Sequence, residues 1–167
     1  TGRYPLRYGL QLGVIPSGGR YGLDTEEYLL PQAMKDAGYR TAMVGKWHLG
    51  HADTKYWPRY RGFDTFYGAL VGEIDYFDNR NEEVIEEEGY ATTLFGQEAA
   101  RVVEAHDGAA PLFLYLAFTA PHTPFQVPEE HLARYAHIAD ENRRTYSAMI
   151  SAMDDEIGRV LAALDAK

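Results

Sequence analysis

Seven consecutive apolar and aromatic residues, 112–118 (LFLYLAF), follow directly on Pro111 and end shortly before Pro121. A run without polar alternation offers no face to water, so it needs cover on both sides and predicts a strand buried in a parallel sheet. A shorter apolar and β-branched stretch, residues 41–44 (TAMV), lies between Gly38 and Gly45 and predicts a second buried strand. Helical patterns surround these strands. Leu30-Pro31 opens a short helix carrying Ala33, Met34 and Ala37, with Gly38 as its left-handed terminator. Leu94, Phe95, Ala99, Val102 and Val103 recur at helical spacing within 93–106. Residues 141–164 set Tyr146, Met149, Ile150, Met153, Ile157, Val160, Leu161 and Leu164 on one stripe, with Asp140 as the N-cap. This order of helices and strands implies an α/β layered fold with a mostly parallel central sheet flanked by helices. Residues 1–23 and 51–90 carry no clear period and read as irregular excursions.

At 167 residues and 46% hydrophobic content the chain is sized for one domain. A formal net charge of −9 argues against nucleic acid or any polyanion held by bulk charge. An anionic substrate would have to be captured locally, by placed cations or a metal. There is no cysteine, which excludes disulfides and thiolate metal sites within these residues. No apolar run approaches the length needed to cross a bilayer, so no membrane partner is expected.

Chemistry concentrates where the predicted strands end. Lys46 and His48 fall just past the first strand, with Trp47 between them expected to point inward and fix the loop. His122 follows the second strand in Ala120-Pro121-His122-Thr123-Pro124, where flanking prolines restrict the backbone. Parallel strands present their carboxyl ends on one edge of the sheet, which is where open α/β folds bind ligands. Lys46, His48 and His122 are therefore expected to converge on an oxyanion. The acidic runs, with Glu73, Asp75 and Asp78 in the first and Glu82, Glu83, Glu86, Glu87 and Glu88 in the second, read as solvated faces. No metal ligand is assigned. His51, His106, His131 and His137 read as surface histidines, His51 being the one that could reach a substrate rim.

Residues 38–50 (GYRTAMVGKWHLG) match every fixed position of G-Y-x-T-x-x-x-G-K-W-H-L-G, and on these residues the chain resembles the type I, formylglycine-dependent sulfatases. Thr1-Gly2-Arg3 resembles the end of that family's first signature, C-x-P-S-R-x-x-L-x-T-G-R. Residues 61–68 (RGFDTFYG), 111–128 and 146–154 are similar to arylsulfatases of the B type. The resemblance implies an alkaline-phosphatase-like fold of which residues 1–167 form the central portion, with further strands expected on both sides. It implies hydrolysis of sulfate monoesters, with sulfated sugars as the substrate class, by a formylglycine hydrate supplied from outside this segment. Ca²⁺ would be held by ligands that also lie outside it. Lys46 matches the lysine that contacts the sulfate and the hydrate. His48 matches the histidine that takes a proton from the hydrate, and His122 the one that binds a sulfate oxygen and protonates the leaving alcohol. Arg3 would support the nucleophile loop, and Arg7 and Tyr8 would face the pocket mouth. A secreted, periplasmic or lysosomal location follows from the family. Two alternatives stand beside this reading: a phosphomonoester or phosphonate hydrolase of the same superfamily, against which the intact GKWHLG weighs, and a non-catalytic truncated remnant.

Overall fold

Strand β1 (Arg40–Gly45) forms the centre of a three-stranded parallel sheet, extending the predicted stretch by one residue at each end. The computed structural model describes residues 1–71 and 87–167; of the acidic residues read as solvated, Glu73, Asp75, Asp78, Glu82, Glu83 and Glu86 lie outside the described residues. On one side β1 pairs with β2 (Thr65–Tyr67), Ala42 opposite Thr65 and Val44 opposite Tyr67. On the other it pairs with β3 (Leu112–Ala117), from Arg40 opposite Leu112 to Gly45 opposite Ala117. Flanked on both sides, β1 is buried from Thr41 to Gly45. Strand β2 falls inside the stretch read as irregular. Three residues are too few to display a period of two, and its pairing is specified by β1 rather than by its own pattern.

Helix α1 (Leu30–Asp36) enters β1 through the expected glycine stop. Gly38 sits at φ +87°, its N–H donates to the Lys35 carbonyl at 2.9 Å, and the Tyr39 N–H reaches the Met34 carbonyl at 3.0 Å. These paired bonds satisfy the last helical carbonyls and turn the chain into the strand.

Two cores sandwich the sheet. One joins Val44 and the even-numbered β3 residues Leu112, Leu114 and Leu116 to α2 (Ala91–Ala105) and, beyond β3 and α3 (Glu129–Ala133), to α4 (Glu141–Asp165). The other joins Met43, Phe113 and Ala117 to Leu23, Leu29, Trp47 and Phe63. Both faces of β3 thus meet a core, but its residues are only partly buried and Tyr115 is 47% exposed. The expected full enclosure fails because β3 is the last strand on its side of the sheet among the described residues.

Asp140 caps α4 as expected, accepting from the Arg143 N–H at 2.7 Å. The apolar stripe of α4 divides, however. Met149 and Val160 are buried together with the small residues Ala148, Ala152 and Ala163, whereas Tyr146, Ile150, Ile157, Leu161 and Leu164 stay exposed. Contact with α2 selects small residues because the helices are close: a Cβ on Gly96 would lie 2.5 Å from the Cβ of Glu156. Glu156 is itself buried there and accepts from Arg159 at 2.7 Å. No helix among the described residues is long and apolar enough to cross a membrane.

Candidate active site

Glycines let the three strand ends close on one another. Gly45, at φ +112°, lies so near Ala117 that an added Cβ would overlap its carbonyl, and Gly68, at φ +148°, abuts the Gly45 backbone in the same way. Past Gly45 the chain keeps bonding to both neighbours. The Lys46 N–H donates to Ala117 at 2.8 Å, Trp47 to Ala69 at 2.9 Å and His48 to Leu70 at 3.2 Å. The indole of Trp47 points inward as expected. It is 8% exposed, meets Phe63 edge-on at 6.2 Å and donates from Nε1 to the Tyr56 carbonyl at 2.8 Å. The backbone from which Lys46 and His48 project is therefore held from both sides.

His48 is the one non-glycine residue at positive φ among the described residues, at +59°. An unusual backbone conformation persists only where its surroundings enforce it. Here the enforcement is the Leu70 bond on the main chain and, on the ring, Nε2 at 3.0 Å from the Ile15 carbonyl. His122 lies on the turn after β3. Its N–H donates to Thr119 at 3.0 Å and its Nδ1 lies 2.7 Å from the Thr123 carbonyl. The prolines on either side of it close a compact turn, so the exposed ring projects from a defined backbone.

Burial pushes the His48 imidazole below the usual histidine range, and the positive charges of Lys46, His122 and His51 push it in the same direction; the bond to Ile15 opposes them. Lys46 and His48 follow β1 and His122 follows the adjacent parallel β3, so the three residues lie at one edge of the sheet. His51, read as a surface residue, is half-buried and belongs electrostatically to the same group. The Ile15 carbonyl had no sequence signal at all, since every residue carries one.

Arg3 pairs with the buried Glu27 at 2.6 Å. Tyr8 packs, partly buried, on the core around Met43 and Trp47, and Arg7 is exposed. His106 bonds the Ala110 carbonyl at 2.7 Å, His131 faces Asp155 at 3.7 Å and His137 is exposed beside Tyr135. A cavity of about 300 Å³ opens at the opposite, amino edge of the strands, between Arg40, Asp64, Arg101 and His106. It is remote from the strand ends that carry Lys46 and His122, and the chemistry is assigned by those side chains rather than by the size of the hollow. Among the described residues, no group of three or more His, Cys, Asp or Glu side chains is placed to share a metal ion.

A three-stranded parallel sheet covered by helices defines an α/β protein, and the chain belongs to the sulfatase family, whose Sulfatase model matches residues 1–167. Its fold is the alkaline-phosphatase-like one. Arylsulfatase J of Mus musculus is 38% identical over 181 residues, and N-acetylgalactosamine-6-sulfatase of Homo sapiens 30% identical over 192. Each alignment covers 98% of this chain, but the chain spans only 30% of the first relative and 35% of the second. The solved structure of Ps i-CgsB in complex with k-i-k-neocarrahexaose superposes with a TM-score of 0.93 at 31% identity, covering 99% of this chain and 42% of that one.

Proposed function

We propose that the protein to which this chain belongs is a sulfuric ester hydrolase, cleaving sulfate monoesters of sugars at the edge occupied by Lys46, His48 and His122. The observation that carries the reading is that Lys46 and His48 leave β1, and His122 leaves the adjacent parallel β3, at the same edge of the sheet. Hydrolysis of a sulfate ester must remove a proton from the attacking oxygen and supply one to the departing alcohol, while charge on the sulfate oxygens is stabilised. The Lys46 ammonium supplies the charge. His48, kept neutral near pH 7 by its partial burial and the cations around it, accepts the proton of the attacking group. His122 hydrogen-bonds a sulfate oxygen and protonates the leaving alcohol, which is otherwise expelled as a poorly leaving alkoxide.

Ca²⁺ and formylglycine, which the family implies, would be held and supplied by residues outside this segment. No step above passes through either group. Sugar sulfates are favoured as substrates because one relative is named for N-acetylgalactosamine 6-sulfate and a structural neighbour was solved with an oligosaccharide bound. A secreted, periplasmic or lysosomal location accords with the same family reading.

Substitution of the three residues in the full-length protein tests the assignment. Lys46→Ala, His48→Ala and His122→Ala are each expected to lower kcat for a sulfate ester by about 10²-fold or more. Thermal unfolding should stay close to that of the parent. Near-parental rates in all three would remove the assignment.

A further inference from the structure

We propose that the backbone carbonyl of Ile15 fixes the His48 proton on Nε2, which makes Nδ1 the basic nitrogen of the ring and the turn at residues 15–19 a positioning element of the site. The inference rests on the reading of His48 as a base. It begins from a constraint of hydrogen bonding: a carbonyl oxygen only accepts, so a ring nitrogen 3.0 Å from it must carry hydrogen. Neutral imidazole has one N–H, and spending it on Ile15 leaves the lone pair on Nδ1.

The carbonyl is held firmly. The Ile15 side chain is 1% exposed and among the largest fully buried groups of the molecule. The turn after it closes with the Gly19 N–H on the Pro16 carbonyl at 2.8 Å. A Cβ at residue 19 would sit 2.9 Å from that carbonyl oxygen and 3.2 Å from Cγ2 of Ile15, so the turn is seated directly on the Ile15 side chain. Opposite, the positive φ of His48 and its main-chain bond to Leu70 set where the ring emerges from the strand end. The imidazole thus bridges two separately anchored segments, and rotation about its side-chain torsions would break the bond.

The second imidazole is pinned the other way. His122 has Nδ1 at 2.7 Å from the Thr123 carbonyl, which puts its proton on Nδ1 and its lone pair on Nε2 in the neutral ring. Two neighbouring histidines with the same intrinsic chemistry are therefore given opposite tautomers by two backbone carbonyls. When His48 takes up a second proton, its Nε2–H stays on Ile15, so the acquired proton resides on Nδ1. Among the described residues, the charged and titratable groups around the ring are Lys46, His51 and His122, all of which disfavour that protonation, and the Ile15 carbonyl is the contact that eases it.

The test uses the full-length protein labelled with ¹⁵N-histidine, the His48 ring being assigned by its loss in His48→Gln. Long-range ¹H–¹⁵N spectra above the titration of the ring are expected to show the Nε2–H tautomer. In Gly19→Ala, whose methyl group displaces the turn, and in Ile15→Ala, which loosens its anchor, both tautomers should appear. In those variants kcat for a sulfate ester should fall by about 10-fold with KM unchanged. An Nδ1–H tautomer in the parent overturns the proposal, as does a tautomer and kcat indifferent to both substitutions. An Nε2–H ring in a protein whose His48→Gln variant keeps its turnover upholds the pinning of the proton and refutes only the reading of His48 as the base.

Discussion

His48 illustrates how much one side chain can owe to its surroundings. Partial burial, and then the nearby Lys46 ammonium, hold its pKa below the ordinary 6.5, so the folded protein disfavours the charged ring. The stability attached to this group is complete above the unfolded value of about 6.5 and is lost as pH falls through the lower folded value, because the unfolded chain binds the proton first. The loss is small for a ring that water still reaches. Activity is the more sensitive readout. The acid limb of kcat/KM should have its midpoint below 6.5, and a midpoint at or above that value would contradict the lowered pKa. At this scale Lys46, His48 and His122 were legible in sequence, because strand, glycine and motif spacing set them at one sheet edge. His51, singled out as the histidine that could reach a substrate rim, is half-buried, and the part played by Ile15 lies in its backbone, on which its side chain carries no information.

At the scale of elements, periodicity identified α2 and α4 and left their buried sides open, whereas the five-residue α3 is too short to show a period. On α4 the apolar positions cover more of the circumference than one partner can bury, and the sequence does not say which line of them meets α2. The answer lies in the small residues: Ala148, Ala152 and Ala163 on α4 and Gly96 on α2 allow an approach that larger side chains would prevent. Gly96→Ala is accordingly expected to destabilise the protein by about 1–3 kcal/mol, since the new methyl group meets Glu156 at its Cβ and not merely at its flexible end. Chemical denaturation of the full-length variant measures this; unchanged stability would mean that the helices are not in contact as described. Strand β1 was legible for the converse reason, being short, apolar and bounded by glycines. Strand β2 was not, because its three residues draw their conformation from pairing with β1.

Over the whole molecule, apolar surface remains open on several sides. Leu12 is 93% exposed, Leu6 71% and Val14 70%, and the outer face of α4 adds Leu161 and Leu164 at about half exposure. Residues 1–167 expressed alone should therefore unfold broadly, bind hydrophobic dyes and aggregate. A sharp cooperative transition for the isolated segment would show that its two cores suffice. The layered α/β class and the shared edge of the two longer strands were readable from helix and strand order, whereas the extent of burial depends on contacts with no local signature.

The central claim is that this edge serves sulfate-ester hydrolysis, and a paired assay of the full-length protein addresses it most directly. Release of sulfate from a sulfated oligosaccharide would be compared with release of phosphate from the same sugar carrying a phosphate monoester. Turnover of the sulfate ester well above that of the phosphate ester, abolished together with His122, is the expected result. Faster phosphate release, or no sulfate release from any sugar or aryl ester, would contradict it.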